Sequence, residues 1–346
     1  MRRPPAGVLL RAAAILAVPA LVVLLPRVSN DFLNYRFAFV GIYFIAIIGL
    51  NILTGYSGQI SLGHGAFMCF GAYTTAILTT NYGVSEYWTI PIAGVLTGVF
   101  GLLFGLPALR LSGVYLALAT FGLAISIVLV AKRFEGFTGG GGGKSIRLPS
   151  SPFHSLSTNA WVSYLTWAVA ALMFFLAWML TRGRLGRAFR AVRDAPIAAV
   201  SSGLSLARYK TMAFGIAAAY AGVAGSLFAI GITYVNPDTF PIDLSILLLV
   251  GIVLGGAGSL YGMVFGALFV EFIRISWGPA ILDLFSQAHH VNTHAPGSGL
   301  VVYGVVLLLV LYVAPAGAAG LIRQLTAIAS RLRSKKDPSI SDPSLV

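Results

Sequence analysis

Apolar runs of near-spanning length, separated by short polar segments, dominate the chain. They fall at Val8–Pro26, Phe37–Thr54, Ile60–Thr80, Trp88–Leu109, Gly113–Ala131, Trp161–Thr181, Thr211–Thr233, Leu244–Ala257, Leu260–Trp277 and Leu300–Pro315. A hydrocarbon core of ~30 Å takes about 20 apolar residues of helix to cross. The pattern therefore predicts an all-α fold, a polytopic transmembrane helical bundle of about ten spans, some of them short or broken. The first run follows Met1-Arg2-Arg3 like a signal peptide, but it exceeds an ordinary signal core and lacks a small-x-small cleavage site before Arg27. It is read as a span. Two stretches depart from the pattern. Leu244–Ala257 would rise only ~21 Å at 1.5 Å per residue, and it runs into Gly255-Gly256-Ala257-Gly258-Ser259. Thr54 to Gly65 joins two spans with glycines, hydroxyls and an amide.

Composition supports the membrane class. The chain is 58% hydrophobic and 10% charged, whereas soluble domains carry about 25% charged residues. The net charge of +13 does not point to nucleic acid, because the basic residues sit between apolar runs. With a cytoplasmic N-terminus, fifteen Lys and Arg fall in inner segments and six in outer ones, the bias that the positive-inside rule requires. An even number of spans then places both termini in the cytoplasm. Cys69 has no partner for a disulfide.

Candidate chemistry is sparse. The run Gly139 to Gly143 before Lys144-Ser145 lacks the first glycine of a phosphate-binding loop, where Thr138 stands, and it lies on the outer side. Ser57-Gly58-Gln59 echoes a signature of ABC ATPases, but Tyr56 precedes it and no Walker sequence exists in the chain. No ATP site is expected, nor any catalytic constellation. His64 can relay a proton or touch a solute, although a hydrogen bond to a carbonyl at a helix break is the plainer role. Glu271 and Arg274 stand three apart and are expected to pair. His289, His290 and His294 cluster in the last outer loop without a matching carboxylate or cysteine, so no metal is assigned. Thr54 to Gly65 admits two readings: irregular backbone lining a cavity inside the membrane, or a glycine-rich turn at the cytoplasmic surface.

The loop from Arg182 to Lys210 carries seven basic residues, and Arg187, Arg190 and Arg193 recur on one helical face. Asp194 is expected to cap a second helix starting at Ala195 or Pro196. Gly203 is expected to end it with φ > 0. Such a loop suits a cytoplasmic partner, and it equally suits anchoring on anionic lipid.

These segments resemble one family. Gly55-Tyr56-Ser57-Gly58-Gln59-Ile60-Ser61-Leu62-Gly63-His64 is similar to the hallmark of permeases in branched-chain amino acid ABC importers. Arg190-Ala191-Val192-Arg193-Asp194-Ala195-Pro196, with Ala198, Ala199 and Gly203, resembles their ATPase-docking loop, with Ile197 in place of the glutamate of the wider importer motif. Leu254 to Leu260 and Pro315 to Leu321 match further landmarks, so the resemblance covers about 42–321 and is nearest the LivM-type half.

The resemblance implies a permease subunit without chemistry of its own and without a bound cofactor, in the bacterial inner membrane. Its partners would be a second, LivH-type permease, two cytoplasmic ATPases holding ATP and Mg, an extracytoplasmic solute-binding protein and membrane lipid. It assigns the solute path to Thr54, Gly55, Ser57, Gly58, Gln59, Ser61, Gly63 and His64. It assigns ATPase coupling to Arg190, Arg193, Asp194, Ala198, Ala199 and Gly203, with Arg193 presenting a cation to the ATPase. The expected organisation is an N-terminal span and outer loop (1–36), a permease domain (37–321) containing the coupling loop (182–210), and a basic, partly disordered tail (322–346). A urea or amide importer shares these motifs and stays open as an alternative. An ion-coupled secondary transporter is a further one, with Glu271 as its only candidate acid.

Overall fold

The computed structural model describes residues 26–108, 111, 113–146 and 156–272, with isolated positions at 24, 304, 308, 312 and 320. The expected first and last spans fall almost wholly outside these residues, as do Arg274, the histidine cluster and the basic tail.

Helix follows helix along the described chain: α1 Asp31–Asn51, α2 His64–Tyr82, α3 Glu86–Ala108, α4 Val114–Arg133, α5 Glu135–Thr138, α6 Thr158–Arg182, α7 Arg184–Asp194, α8 Pro196–Ser201, α9 Leu206–Ile232, α10 Ile242–Gly255 and α11 Met263–Phe272. Among the described residues, six segments are long and apolar enough to cross a membrane: Asp31–Tyr56, Glu86–Pro107, Val114–Arg133, Thr158–Arg182, Leu206–Ile232 and Pro237–Gly255. The last reaches that length only with the turn Pro237–Thr239 ahead of α10, whose own 14 residues are as short as the sequence predicts. α2 starts at His64 rather than at Ile60, because the first four residues of the apolar run are non-helical.

α1 and α9 form the centre. Both are apolar on every side, and a helix without a polar face is stable only when surrounded. Tyr43, Ile45, Ile48, Phe214, Leu227 and Phe228 are buried accordingly. Around them, α3, α4 and α6 keep one apolar face outward, through Val95, Val99 and Leu103, Leu118, Ile125 and Leu129, and Leu172, Phe175 and Met179. Those faces suit lipid. α3 approaches α9 along Gly94, Gly98, Gly101 and Gly105, which lie against Val223, Ala219, Ala218 and Phe214. Small residues let helices close to backbone distance, where dispersion supplies the attraction that hydrophobicity cannot supply in lipid.

The end of the bundle opposite the basic loop is tied by a two-residue antiparallel pair, β1 Lys144–Ser145 with β2 Tyr234–Val235. Lys144 Nζ donates to Asn81 Oδ1 at 2.6 Å, and Lys132 pairs with Asp238 at 2.7 Å. The glycine run before Lys144 is thus a structural turn beside the end of α9. Glu271 pairs across the bundle with Arg36 of α1, Nε to Oε1 3.6 Å, and its expected partner Arg274 lies outside the described residues. A partner on another helix is not legible in the sequence.

Candidate functional site

α1 does not end as an α-helix. Ile52–Tyr56 forms a π-helical turn, after which the amide hydrogens of Ser57 and Gln59 donate back to the carbonyls of Ile52 and Leu53, both at 3.1 Å. Gly58 then takes φ +73°, a left-handed value that reverses the chain at little cost for glycine. The backbone turns back into the bundle. Gln59 Nε2 donates to the Lys210 carbonyl near the start of α9 and to Ser57 Oγ. The Leu62 amide donates to Thr120 Oγ1 of α4 at 2.9 Å. His64 Nε2 lies 2.9 Å from the Ala46 carbonyl, and the Gly65 amide donates to Ser245 Oγ of α10 at 2.9 Å.

Ala46 precedes Tyr56 by ten residues, about 15 Å of helical rise. Residues 57–63 therefore climb from one end of α1 to mid-depth, and of the two readings of this segment the structure favours the buried one. A surface turn would leave its amides to water. Here Thr120 and Ser245, from two other helices, accept those of Leu62 and Gly65. The start of α2 meets that of α10 at this depth, where a β-carbon on Gly65 would lie 2.8 Å from Ser245 Oγ.

The predicted path residues divide. Ser57, Gln59, Ser61 and His64 are buried, and Gly63 packs against the Thr120 carbonyl, 2.7 Å from where a β-carbon would be. Thr54 Oγ1 donates to the Gln59 carbonyl at 3.1 Å. Ile60, on the same segment, is 46% exposed. The described part of the chain thus encloses much of the polar segment and leaves an open side at Ile60.

A second polar turn, Gly256 to Ser259 after α10, meets the first. Asn51 Oδ1 accepts the Gly258 amide at 2.8 Å, and its Nδ2 donates to the Ser259 carbonyl at 3.2 Å. Gly55 sits between the two turns, since a β-carbon there would come 2.5 Å from the Gly258 nitrogen. The sequence reading passed over Asn51. A single amide inside an unbroken apolar run was the signal, because a buried amide needs partners.

The basic loop forms two helices, α7 and α8, joined at Ala195. α7 is amphipathic and buries Gly186, Ala188, Phe189 and Val192. Asp194 does not cap α8, as the sequence predicted: it is the last residue of α7, and Ala195 takes the cap position with Pro196 at the first turn. Its carboxylate is taken by Arg193 instead, Nε to Oδ1 2.7 Å and Nη2 to Oδ2 3.3 Å. That hydrogen bond holds the Asp194 carboxyl below the usual carboxylate range.

Gly203 ends α8 as the sequence predicts, with φ +82°. Its amide donates to the Val200 carbonyl and that of Leu204 to Ala199, both at 2.9 Å, the paired closure of a Schellman motif. A β-carbon on Gly203 would meet nothing within 4 Å, so only the backbone angle selects glycine. Ala199 is buried and Ala198 exposed.

Two of the four arginines of α7 reach the polar segment, while Arg184 and Arg187 are exposed. Arg190 Cζ lies 5.9 Å from the Tyr56 ring centroid, and Arg193 Nη1 donates to the Gly55 carbonyl. The Arg193 head group is thus engaged within the chain, while 34% of the side chain stays exposed. The loop, the polar re-entrant segment and the turn after α10 thus meet in one place, although Gly55, Arg193 and Gly258 are separated by 138 and 65 residues in the sequence.

A family model described as branched-chain amino acid transport system / permease component matches residues 33–311. The high-affinity branched-chain amino acid transport system permease protein LivM of Escherichia coli K12 is 35% identical over 258 residues, 67% of this chain and 60% of that protein. The chain thus spans 60% of the length of that relative. The probable branched-chain amino acid transport permease protein LivM of Methanocaldococcus jannaschii is 25% identical across 84% of this chain and 93% of its own length. The autoinducer 2 import system permease protein LsrC of Klebsiella pneumoniae is 32% identical over 72% of this chain and 70% of its own. Among solved structures, PsaBC from Streptococcus pneumoniae in complex with Fab overlaps 86% of this chain and 96% of that chain at TM-score 0.42 and 16% identity, too loosely to carry an argument. Six segments of spanning length among the described residues and a match over most of the chain make this a multi-pass membrane protein that belongs to the family of branched-chain amino acid transport system permease components.

Proposed function

We propose that this chain is the permease subunit of an ABC importer in the bacterial inner membrane, moving branched-chain or other hydrophobic amino acids by ATP-driven alternating access. Its partners are a LivH-type permease, two cytoplasmic ATPases that hold the ATP and Mg, and an extracytoplasmic binding protein. The observation that carries the reading is α8, a short helix between two spans with Ile197 and Val200 84% and 53% exposed. A rigid apolar knob at the basic end of the bundle is costly in water and suits a groove on a soluble partner. α8 is continuous with α7, and α7 touches the polar segment through Arg193. A movement of the knob thus has a route to the membrane interior. The two LivM relatives support the amino acid solute, and LsrC indicates how far solutes diverge within the family.

Ile197→Glu should lower recovery of the ATPase with the affinity-purified permease by roughly ten- to a hundredfold, since burying an isoleucine contributes about 1.5–3 kcal/mol. Gly203→Val should act in the same direction by straining φ +82°, a conformation that costs non-glycine residues about 1–2 kcal/mol. Arg184→Glu serves as the charge control, because simple anchoring on lipid would make it equally damaging. Recovery of the ATPase at wild-type levels from both loop variants would refute docking at α8.

The solute path is tested by single cysteines in a Cys69→Ala background. Cysteines at Ile60 and Leu62 should react with a soluble thiol reagent and be protected by solute, because Ile60 is exposed and Leu62 partly so. Those at Ser57, Ser61 and His64 should react at least tenfold more slowly, as buried thiols do. Uniform inertness across 54–65, with no protection, would remove the segment from the path.

A further inference from the structure

One side chain fills the space between the two polar turns. The Arg193 stem lies over Gly58, where a β-carbon would come 2.6 Å from its Cγ. Its Nη1 donates to the Gly55 carbonyl and lies 3.7 Å from where a β-carbon on Gly258 would be. Gly58 and Gly258 hold φ of +73° and +81°, so both turns take conformations that suit glycine at the positions the arginine occupies. Asp194 grips the other side of the guanidinium through Nε and Nη2. Each of the three guanidinium nitrogens therefore has an acceptor within the chain. Arg190 is less tightly engaged, over the Tyr56 ring at 5.9 Å.

We infer that Arg193 is a positioning residue that links α7 and α8 mechanically to the re-entrant segment, and is not itself an ATPase contact. The inference rests on the importer reading and deepens it. The planar fork is the reason for arginine: one edge is fixed by a carboxylate on the docking loop, and the remaining nitrogen grips a carbonyl of the membrane helix. That carbonyl belongs to the π-helical turn, a local departure from α-geometry that is frequent at functional sites. It also stands at the C-terminal end of α1, where the helix dipole favours a cation. A displacement of α8 carries Asp194 and Arg193 with it, and Gly55 follows.

The experiment uses the assembled importer in proteoliposomes and measures ATPase recovery, ATP hydrolysis and solute moved per ATP. Arg193→Ala should keep ATPase recovery while solute per ATP falls about tenfold, the factor a lost charge-assisted hydrogen bond is worth. Arg193→Lys should fall between, because an ammonium cannot hold both edges. Gly58→Val should reproduce the uncoupling with Arg193 intact, by occupying the seat of its stem. Combining Gly58→Val with Arg193→Ala should add little, as expected for two changes in one contact. A merely structural role would lower the melting temperature and the amount of complex without changing solute per ATP. The inference is overturned if Arg193→Ala releases the ATPase, if solute per ATP stays at the wild-type ratio, or if the two changes multiply. A wild-type chain that recovers no ATPase removes the importer reading itself, and this inference with it, a result separable from all of these.

Discussion

Gly225→Val is expected to strip most of the folded chain from detergent extracts. Gly225 lies on α9 where that helix crosses α2, and a β-carbon there would strike the Met68 carbonyl. One turn away Gly71 of α2 meets the Gly222 backbone, and a β-carbon on Gly222 would lie 2.6 Å from the Ala93 carbonyl of α3. The central helix is therefore held on two sides at backbone contact, and Thr75 Oγ1 bonds Ser226 Oγ beside it at 2.6 Å. A rotamer change cannot relieve a clash with a carbonyl, so the helices must part. Overpacking of this kind costs about 1–3 kcal/mol and sometimes more, and in lipid no hydrophobic force draws the pieces back. Gly122→Val on α4 is the control, because its β-carbon meets nothing within 4 Å. Thermal unfolding of the solubilised chain followed by size-exclusion fluorescence distinguishes the two. Equal melting of Gly225→Val and Gly122→Val would show that the α2–α9 contact is not backbone-tight.

The second large effect is expected at Asn51. Its side chain is wholly buried and spans both polar turns. The orientation of the amide follows from its partners, since a backbone N–H can face only the oxygen and a carbonyl only the nitrogen. Asn51→Leu leaves the Gly258 amide and the Ser259 carbonyl without their partner, at about 1–3 kcal/mol for each buried orphan. Asn51→Asp keeps the acceptor but sets a carboxylate oxygen against the Ser259 carbonyl in a dry site, where an unpaired charge is costly. Both should depress melting and cut solute uptake by more than tenfold, with Asn51→Asp at least as severe. Asn51→Gln should not rescue, because the extra methylene displaces the amide from both partners. Wild-type uptake by Asn51→Leu would mean that the turn after α10 is held by other contacts.

Sequence determined the parts of this protein that are set by neighbours. Apolar runs of spanning length mark helices because a backbone inside a bilayer has to satisfy itself locally, and the 14 residues of α10 are short by themselves. Gly203 was legible for the same reason: a helix stop followed by a left-handed angle is local geometry, and the residue type answers to it. The family, too, lay in contiguous motifs. Where a side chain had a choice of partners, local rules erred. Asp194 was assigned the cap of α8, but an arginine beside it offers a charged donor, stronger than a helix-end amide. The contact of Glu271 with Arg36, on a helix more than two hundred residues earlier, had no local signal at all.

Only the tertiary structure decided that residues 57–63 re-enter the bundle, that Asn51 bridges the two polar turns, and that Arg193 reaches Gly55. The hydropathy of that segment is the same for a surface turn and a buried one. Its depth depends on whether distant helices bring acceptors for its amides, and Thr120 and Ser245 do so. A bilayer fixes which stretches are helical, but the choice of partner for a buried polar group is made by packing, between residues that no local pattern connects.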